Sequence, residues 1–249
     1  AFDQVVHDVA LQKLPVTFAL DRGGLVGADG PTHHGVLDFA YLRIIPNLIV
    51  SAPRDENDLE GLLAAAVASG RPFALRFPRG AATGVSILSE PKALAIGRGE
   101  VLRRGGDVAL LGIGRTVGVA QRTAELLAER GVRASVIDAR YVKPLDAELI
   151  CATARGTGHV VTIEDHAGFG GFGSAVLELI AREVPRTAVR IHALPDRFTD
   201  HGEVTAQYRA AGIDPESVAA DTLTWLRSLH PTPLSRPRAG EEQEGPRVT

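Results

Sequence analysis

Apolar and polar positions in the first eighty residues alternate in a way that predicts strands and helices in turn. Short, mainly apolar runs at 16–20, 47–52 and 73–77 are typical of buried strands. The segments between them carry apolar residues at helical spacing. The predicted helices are an N-terminal one with the stripe Phe2, Val5, Val6, Val9 and Leu14, one beginning at Thr32 with the stripe Val36, Leu37, Ala40, Tyr41 and Ile44, and one from about Asp55 to Ser69.

The same alternation resumes after residue 106 and continues to residue 229. Strands that alternate with helices favour parallel sheets joined by right-handed crossovers. The intervening stretch, 81–106, is broken by glycine and proline, so we place a domain boundary near Pro91. The predicted strands are 107–112, 134–139, 159–164 and 189–194, and the predicted helices are 116–130, 146–154, 174–183, 203–211 and 215–229.

The pattern therefore predicts an α/β protein with two parallel-sheet, three-layer domains, residues 1–90 and 91–229. A length of 249 residues with 45% hydrophobic content is sufficient for two cores of ordinary size. Residues 230–249 contain four prolines and few apolar side chains, which predicts a disordered tail.

Charge and composition exclude several classes of function. The net charge is −3, from 27 basic and 30 acidic residues without a basic run, which argues against nucleic-acid binding. No apolar run approaches the roughly 20 residues that span a bilayer, so we expect no membrane association. The single cysteine, Cys151, suits a reducing compartment, and we expect a cytoplasmic protein. The chain lacks methionine and opens at Ala1 within a helical pattern, which suggests part of a longer protein.

The most distinctive stretch, from Asp21 to Arg43, follows the first predicted strand. Glycines and a proline between Gly23 and Pro31 break any helical or alternating pattern, which indicates a loop at the carboxyl end of a strand. Ligands of open α/β sheets bind at such ends. Thr32 is expected to cap the following helix and so to hold His33 and His34 at its positive end.

Four residues at these strand ends are candidates for chemistry. Arg22 and Arg79 follow two different strands, and their planar guanidinium groups suit bidentate contacts with phosphate or carboxylate. His33 could donate or accept a proton near neutral pH, and Asp29 could orient it or a substrate hydroxyl. Taken alone, each also has an ordinary explanation: surface ion pairs for the arginines, a helix cap for His33 and a turn position for Asp29.

The motif D-R-x-G-x-V-G-x-D-G-x-T-H-x-G at 21–35 closely resembles 1-deoxy-D-xylulose-5-phosphate synthases, thiamine diphosphate enzymes of the transketolase superfamily. The resemblance covers residues 1 to about 228. It continues through four further motifs: Y-L-R-x-I-P-N at 41–47, S-A-P-R-D-E-N at 51–57, R-F-P-R-G at 76–80 and V-K-P-L-D at 142–146.

This resemblance implies a pyrimidine-binding domain followed by a transketolase C-terminal domain. It also implies condensation of pyruvate with D-glyceraldehyde 3-phosphate, with loss of carbon dioxide, to give an isoprenoid, thiamine and pyridoxal precursor. In that scheme His33 contacts the pyruvate-derived group, and Arg22, Asp29 and Arg79 bind substrate. His34 is a less certain neighbour, since the resembling enzymes often have glutamine there.

The resemblance places the cofactor outside this chain. Thiamine diphosphate and Mg²⁺ are expected to be held mainly by a segment upstream of Ala1, and no residue of the 249 is assigned to either. The expected partners are that upstream portion and a second copy in a homodimer. The fragment alone is expected to be inactive.

Two other readings stay open at this point. A transketolase or the β subunit of a 2-oxoacid dehydrogenase would share the architecture. Alternatively, G-F-G-G-F-G at 168–173 satisfies a dinucleotide-binding pattern and would suit a non-catalytic nucleotide-binding module. The next predicted strand ends in Leu194-Pro195 without an acidic residue for a ribose, so we interpret the glycines as a close-packing turn.

Overall fold

In the computed structural model, which describes residues 1–90 and 92–229, strands and helices alternate as predicted. The predicted boundary residue Pro91 and the predicted tail lie outside the described residues. The strands are β1 (Thr17–Leu20), β2 (Ile49–Ser51), β3 (Phe73–Arg76), β4 (Glu100–Arg103), β5 (Val108–Gly112), β6 (Ala134–Asp138), β7 (Tyr141–Lys143), β8 (His159–Ala167) and β9 (Ala188–Leu194).

The helices also follow the predicted order, with two differences near the N-terminus. The first helical segment is α-helical only briefly and continues as a π-helix over Val5–Ala10. The second helix starts later than predicted. The α-helices are α1 (Phe2–Gln4), α2 (Asp38–Arg43), α3 (Glu56–Ser69), α4 (Thr116–Ala128), α5 (Ala147–Thr157), α6 (Phe172–Glu183), α7 (Val204–Ala211) and α8 (Pro215–Leu229).

The first sheet has the order β1-β3-β2-β7. β3 runs parallel to both neighbours, with Phe73 level with Thr17 on one side and with Ile49 on the other. The edge strand β7 is antiparallel to β2 and comes from the second half of the chain. The hydrophobic pattern did not predict this strand, and its position means that the first sheet is completed by residues from beyond the predicted boundary.

The second sheet has the order β4-β6-β5-β8-β9. Its β6, β5, β8 and β9 are parallel, and β4, which was also not predicted, pairs antiparallel with β6 at the edge. Both sheets are therefore dominated by parallel pairs, as the alternating pattern predicted.

Helices cover both faces of each sheet, which confirms the three-layer prediction. In the first sheet α3 packs on one face through Leu62 and Ala66. The other face belongs to a core cluster that contains Phe39 of α2 together with residues of α5 and α6. On the far face of the second sheet α4 and α8 pack together. One hydrophobic cluster thus runs between the two sheets, and the two halves of the chain share a core.

The predicted apolar stripe of the second helix was wrong. α2 begins at Asp38, and its buried apolar residues are Phe39 and Leu42. Three members of the predicted stripe, Leu37, Tyr41 and Ile44, are 55%, 45% and 65% exposed. Both sets have helical spacing, so periodicity alone could not tell them apart. These three side chains therefore form an apolar face of the helix that is largely exposed.

No helix among the described residues has both the length and the apolar composition required to cross a membrane.

Candidate active site

The loop between Asp21 and Gly35 leaves the carboxyl end of β1 and closes on itself. The Gly24 amide donates to the Gly35 carbonyl at 2.8 Å, and the Gly35 amide donates to the Arg22 carbonyl at 3.1 Å. The Gly23 amide donates to the Phe77 carbonyl at 2.9 Å, just after β3. The ends of the loop are therefore fixed to each other and to the neighbouring strand.

Gly24 allows this loop to approach the second sheet. Its φ is +79°, a left-handed conformation that side chains disfavour. A Cβ atom there would lie 1.9 Å from Asp165 Oδ2 at the carboxyl end of β8. Only glycine fits both the conformation and the space. The loop is consequently held against residues from the other half of the chain.

Arg22, Asp29 and Arg79 come together at the outer end of this loop. Asp29 Oδ2 lies 3.6 Å from Arg22 Nε and 3.3 Å from Arg79 Nε. Arg79 Nη1 also donates to the Val26 carbonyl at 3.1 Å, and Arg22 Nη1 donates to Asp21 at 3.1 Å. Among residues 1–90 and 92–229, the Nη2 atom of neither arginine has a partner. Two half-exposed guanidinium groups therefore offer donors to a further anion.

His33 lies on the same loop but is not at a helix N-terminus as predicted. Residues 31–33 form a turn, and the His33 amide donates to the Gly30 carbonyl at 3.0 Å. Thr32 does not cap a helix, because its hydroxyl lies 2.9 Å from His33 Nδ1 instead. The exposed imidazole is not in contact with Arg22, Asp29 or Arg79 among the described residues. The structure thus brings together three of the four predicted site residues and leaves His33 beside them.

His34, treated from the sequence as a mere neighbour, has the more specific contacts. Its Nδ1 accepts from the Val26 amide at 3.1 Å, and its Nε2 lies 3.1 Å from the Thr199 carbonyl. Burial lowers the pKa of His34, and the neighbouring His33 lowers it further, against a raising contribution from the Thr199 carbonyl. This histidine links the loop to the segment before α7.

Beneath the loop, Arg76 at the end of β3 is the centre of a buried ion-pair cluster. Its Nε lies 2.8 Å from Asp38 Oδ2, and its Nη1 donates to Asp165 Oδ1 at 3.0 Å. Its Nη2 donates to the carbonyls of Gly35, at 2.9 Å, and Asp165, at 3.1 Å. The guanidinium also stacks 4.3 Å from the Phe39 ring centre. Arg76 therefore ties the base of the loop, α2 and β8 together.

The carboxylate of Asp165 completes this cluster. Its second oxygen accepts from the Tyr208 hydroxyl at 3.0 Å, so α7 is joined to the same group. Burial raises the pKa of Tyr208, and the adjacent Asp165 charge raises it further. The phenol accordingly stays protonated as the donor.

Comparison with known proteins supports the family expected from the motifs. A model of the transketolase pyrimidine-binding domain matches residues 1–84, and a model of the transketolase C-terminal domain matches residues 97–218. A solved structure described as a split gene transketolase, inactive β4 tetramer, is 30% identical with a TM-score of 0.79. The match covers 91% of this chain and 71% of that one. The chain belongs to the transketolase family.

Curated relatives within this family carry a narrower name. Proteins of Thermomicrobium roseum and Heliobacterium modesticaldum, both named 1-deoxy-D-xylulose-5-phosphate synthase, are 55% and 50% identical over 227 and 219 residues. A Geobacter sulfurreducens protein, named 1-deoxy-D-xylulose-5-phosphate synthase 1, is 53% identical over 228 residues. The alignments cover 91%, 88% and 91% of this chain but only 36%, 34% and 36% of the relatives. This transketolase-family chain thus spans about a third of their length.

In this transketolase-family chain, backbone amides of the glycine-rich turn at 168–173 already bind a carboxylate of the same chain. Glu164 on β8 accepts from the amides of Phe172 and Gly173, both at 2.7 Å, at the N-terminus of α6. A Cβ on Gly171 would lie 2.3 Å from the same carboxylate. Burial raises the pKa of Glu164 to about 8, although the two amides lower it. The amides that would hold a phosphate already have an acceptor, which argues against the nucleotide-binding alternative.

A cluster of three carboxylates elsewhere has the spacing of metal ligands, but arginine side chains neutralise its charge. Asp58, Glu100 and Asp138 lie within 4.8 Å of one another. Arg54 contacts Glu100 at 2.7 Å and Asp138 at 3.0 Å, and Arg140 contacts Asp58 at 3.2 Å and also Glu100. Burial raises the pKa of Asp138 well above its usual range, and Asp58 raises it further. Two arginines in the cluster oppose cation binding, so these residues do not fit a magnesium site.

Sequence reasoning missed Arg76, Asp38 and Asp165 as contributors to the site. One signal was available, because Arg76 is the only charged residue in the predicted strand F-A-L-R-F. A charge within an apolar strand is rarely buried without a partner. Its partners could not be named, since they lie 38 and 89 positions away in the chain.

Proposed function

We propose that this chain forms the substrate-binding part of a 1-deoxy-D-xylulose-5-phosphate synthase. The reaction would condense pyruvate with D-glyceraldehyde 3-phosphate, with loss of carbon dioxide. The names of relatives about half identical to this chain support the proposal. Below, the complete enzyme means this chain together with the polypeptide that supplies the rest of the relatives' length.

The observation that carries the proposal is the pair of arginines around Asp29. Both substrates are anions, and each guanidinium has an Nη2 without a partner among the described residues. Asp29 contacts both arginines through one oxygen and keeps them close without using all of their donors. We assign Arg79, with Arg22, to the phosphate or carboxylate groups of the substrates.

His33 is the candidate for proton transfer beside this anion site. Its imidazole is exposed on the same loop, and only Thr32 Oγ1 contacts its ring nitrogens among the described residues. An imidazole can donate or accept a proton near neutral pH, which suits a group next to a reacting carbonyl.

The cofactor would be bound mainly outside the described residues. Thiamine diphosphate supplies the carbanion chemistry when it is bound, and Mg²⁺ would hold its diphosphate. Of the described carboxylates, the three with metal-ligand spacing are neutralised by arginines. We assign the cofactor and its metal to the polypeptide that supplies the rest of the relatives' length.

The exposed face of α2 supports further partners. Leu37, Tyr41 and Ile44 are apolar and exposed, and the ring of Phe2 lies edge-on to Tyr41 at 6.3 Å. We propose that this face contacts the rest of the enzyme or a second copy, in a cytoplasmic homodimer. Sedimentation of the complete enzyme tests the dimer, and a monomer at micromolar concentration would contradict it.

The proposed function is tested by assaying the chain with and without its complement. Purified chain is incubated with pyruvate, D-glyceraldehyde 3-phosphate, thiamine diphosphate and magnesium, then again after the complementary polypeptide is added. We expect turnover only in the second mixture, because orientation of substrate accelerates little without the cofactor site. The solved relative, described as an inactive β4 tetramer, supports this expectation.

Two outcomes would contradict the proposal. Turnover by the chain alone near the rate of the mixture would show that the cofactor site lies within it. Turnover with a ketose phosphate donor but not with pyruvate would favour a transketolase instead.

A further inference from the structure

The ring of His34 bridges two separate pieces of backbone. Its Nδ1 faces the Val26 amide, which is always a donor, and its Nε2 faces the Thr199 carbonyl, which is always an acceptor. Both hydrogen bonds can form together only when Nδ1 is unprotonated and Nε2 carries the proton. The contacts therefore require the neutral imidazole in one tautomer.

Partial burial favours that neutral form. Desolvation lowers the pKa of His34, and His33 next to it acts in the same direction. This direction agrees with the neutral tautomer that the two backbone contacts require. The bridge does not depend on a bound ligand, because both partners belong to the protein backbone.

The residue whose amide is held by His34 also positions Arg79 through its carbonyl. Val26 is buried, with 2% of its surface exposed. Its amide is held by His34, and its carbonyl accepts from Arg79 Nη1 at 3.1 Å. A rotation of this residue's backbone would move the carbonyl and with it the guanidinium. His34 is thus two contacts away from a proposed substrate group that it does not touch.

The other end of the bridge reaches a segment that already supports the loop. The Gly202 amide and the Gln207 side chain both donate to the Gly27 carbonyl, each at 3.3 Å. Gln207 also donates to the Asp200 carbonyl at 2.8 Å. The segment around 199–207 therefore holds the loop from one side, and His34 supplies the link closest to Val26.

We propose that His34 is a positioning residue that aligns Arg79 for the phosphate-bearing acceptor, through the backbone of Val26, by fastening the loop to Thr199. This inference rests on the proposed function for the meaning of Arg79. It assigns His34 no contact with substrate. Its role is to fix the donor geometry of another residue.

Three substitutions separate the two hydrogen bonds. His34→Gln offers an amide with one acceptor and one donor, as the ring does. His34→Asn can accept from Val26 but is too short to reach Thr199. His34→Phe keeps a ring of similar size with neither function. His7→Gln, on the exposed N-terminal helix, is the matched control.

In the complete enzyme, steady-state constants for both substrates are measured for each variant. For His34→Phe we expect KM for D-glyceraldehyde 3-phosphate to rise roughly five- to tenfold, the size of one lost hydrogen bond, with smaller changes in kcat and in KM for pyruvate. The KM of His34→Asn for D-glyceraldehyde 3-phosphate should lie between those of wild type and His34→Phe, and His34→Gln should restore most of the wild-type KM. Equal losses for both substrates in His34→Phe, or no loss, would overturn the proposal.

A second measurement does not depend on the reaction. Hydrogen exchange of the peptide containing the Val26 amide should be faster in His34→Phe than in wild type and slowed again in His34→Gln. Unchanged exchange would overturn the bridge itself. If wild-type enzyme fails to turn over these substrates, the proposed function fails, while exchange still decides the bridge. If His34→Phe does not fold, the kinetic comparison is made with His34→Asn, which loses the Thr199 contact and keeps the contact with Val26.

Discussion

Replacing Arg76 by methionine should destabilise the chain far more than removal of any surface arginine. Methionine keeps much of the volume of the side chain and removes its charge. Asp38 and Asp165, whose side chains are 7% and 1% exposed, would then be buried carboxylates without a cation. Asp38 would keep the Phe39 amide, and Asp165 would keep the Tyr208 hydroxyl.

The size of the effect follows from what is left unpaired. Removing one partner of a buried ion pair costs about 3–5 kcal/mol, because the remaining charge loses both water and its counter-ion. Domain stabilities are roughly 5–15 kcal/mol, so a large part of the total would be lost. With a urea dependence of about 2 kcal/mol per molar, the unfolding midpoint should fall by roughly 2 M.

The assay is urea unfolding followed by circular dichroism and by fluorescence of Trp225. Arg122→Ala is the control, since Arg122 and Glu125 pair on the surface with side chains 51% and 56% exposed. It should leave the unfolding midpoint nearly unchanged, because exposed ion pairs contribute little to stability. A midpoint no lower than that of Arg122→Ala would refute the reasoning.

Three further outcomes are expected. Arg79→Ala in the complete enzyme should raise KM for D-glyceraldehyde 3-phosphate more than KM for pyruvate, because the acceptor loses a charge-assisted hydrogen bond that contributes roughly 1.5–3 kcal/mol to binding. Equal changes in the two KM values would remove Arg79 from the acceptor site. His33→Ala should lower kcat with little change in thiamine diphosphate affinity measured by titration, and the reverse result would contradict its role. Burial lowers the pKa of His166, so the unfolded chain takes up a proton on this histidine at a higher pH than the folded chain does, and stability is lost as the pH falls below about 6.5. In His166→Gln the amide oxygen can accept from the Ala40 amide as the ring does, but it does not take up a proton. Urea unfolding should therefore show a smaller loss of stability between pH 7.5 and 5.5 for His166→Gln than for wild type.

The sequence was sufficient for the order of most strands and helices. Apolar runs located β5, β6 and β8 because each of these strands buries at least five consecutive residues. The two strands it missed are short, with four residues in β4 and three in β7, and both are edge strands. Each contains only two consecutive apolar residues, Val101 and Leu102 in β4 and Tyr141 and Val142 in β7, so neither forms a recognisable apolar run.

In the candidate site, too, features set by nearby residues could be predicted, and contacts between residues far apart in the chain could not. Arg22, Asp29 and Arg79 follow strands that are neighbours in the sheet, and their meeting is consistent with the prediction from chain order. The helix expected at Thr32 was wrong, because Thr32 contacts His33 rather than a helix end. The bridge through His34 could not be predicted, since Thr199 lies 165 positions away.

Support for the loop comes mostly from the half of the chain that carries none of the four predicted site residues. Asp165 closes against Gly24, Thr199 accepts from His34, and Gly202 and Gln207 hold the Gly27 carbonyl. Leu25 packs there too, fully buried against Leu194 and Tyr208. Backbone held by hydrogen bonds and by a buried apolar side chain has little freedom to rotate, so the geometry of Arg22 and Arg79 depends on how the two halves are docked. In the proposed function the second half would then hold Arg22 and Arg79 in place, while the Nη2 atoms of both arginines stay without a partner among the described residues.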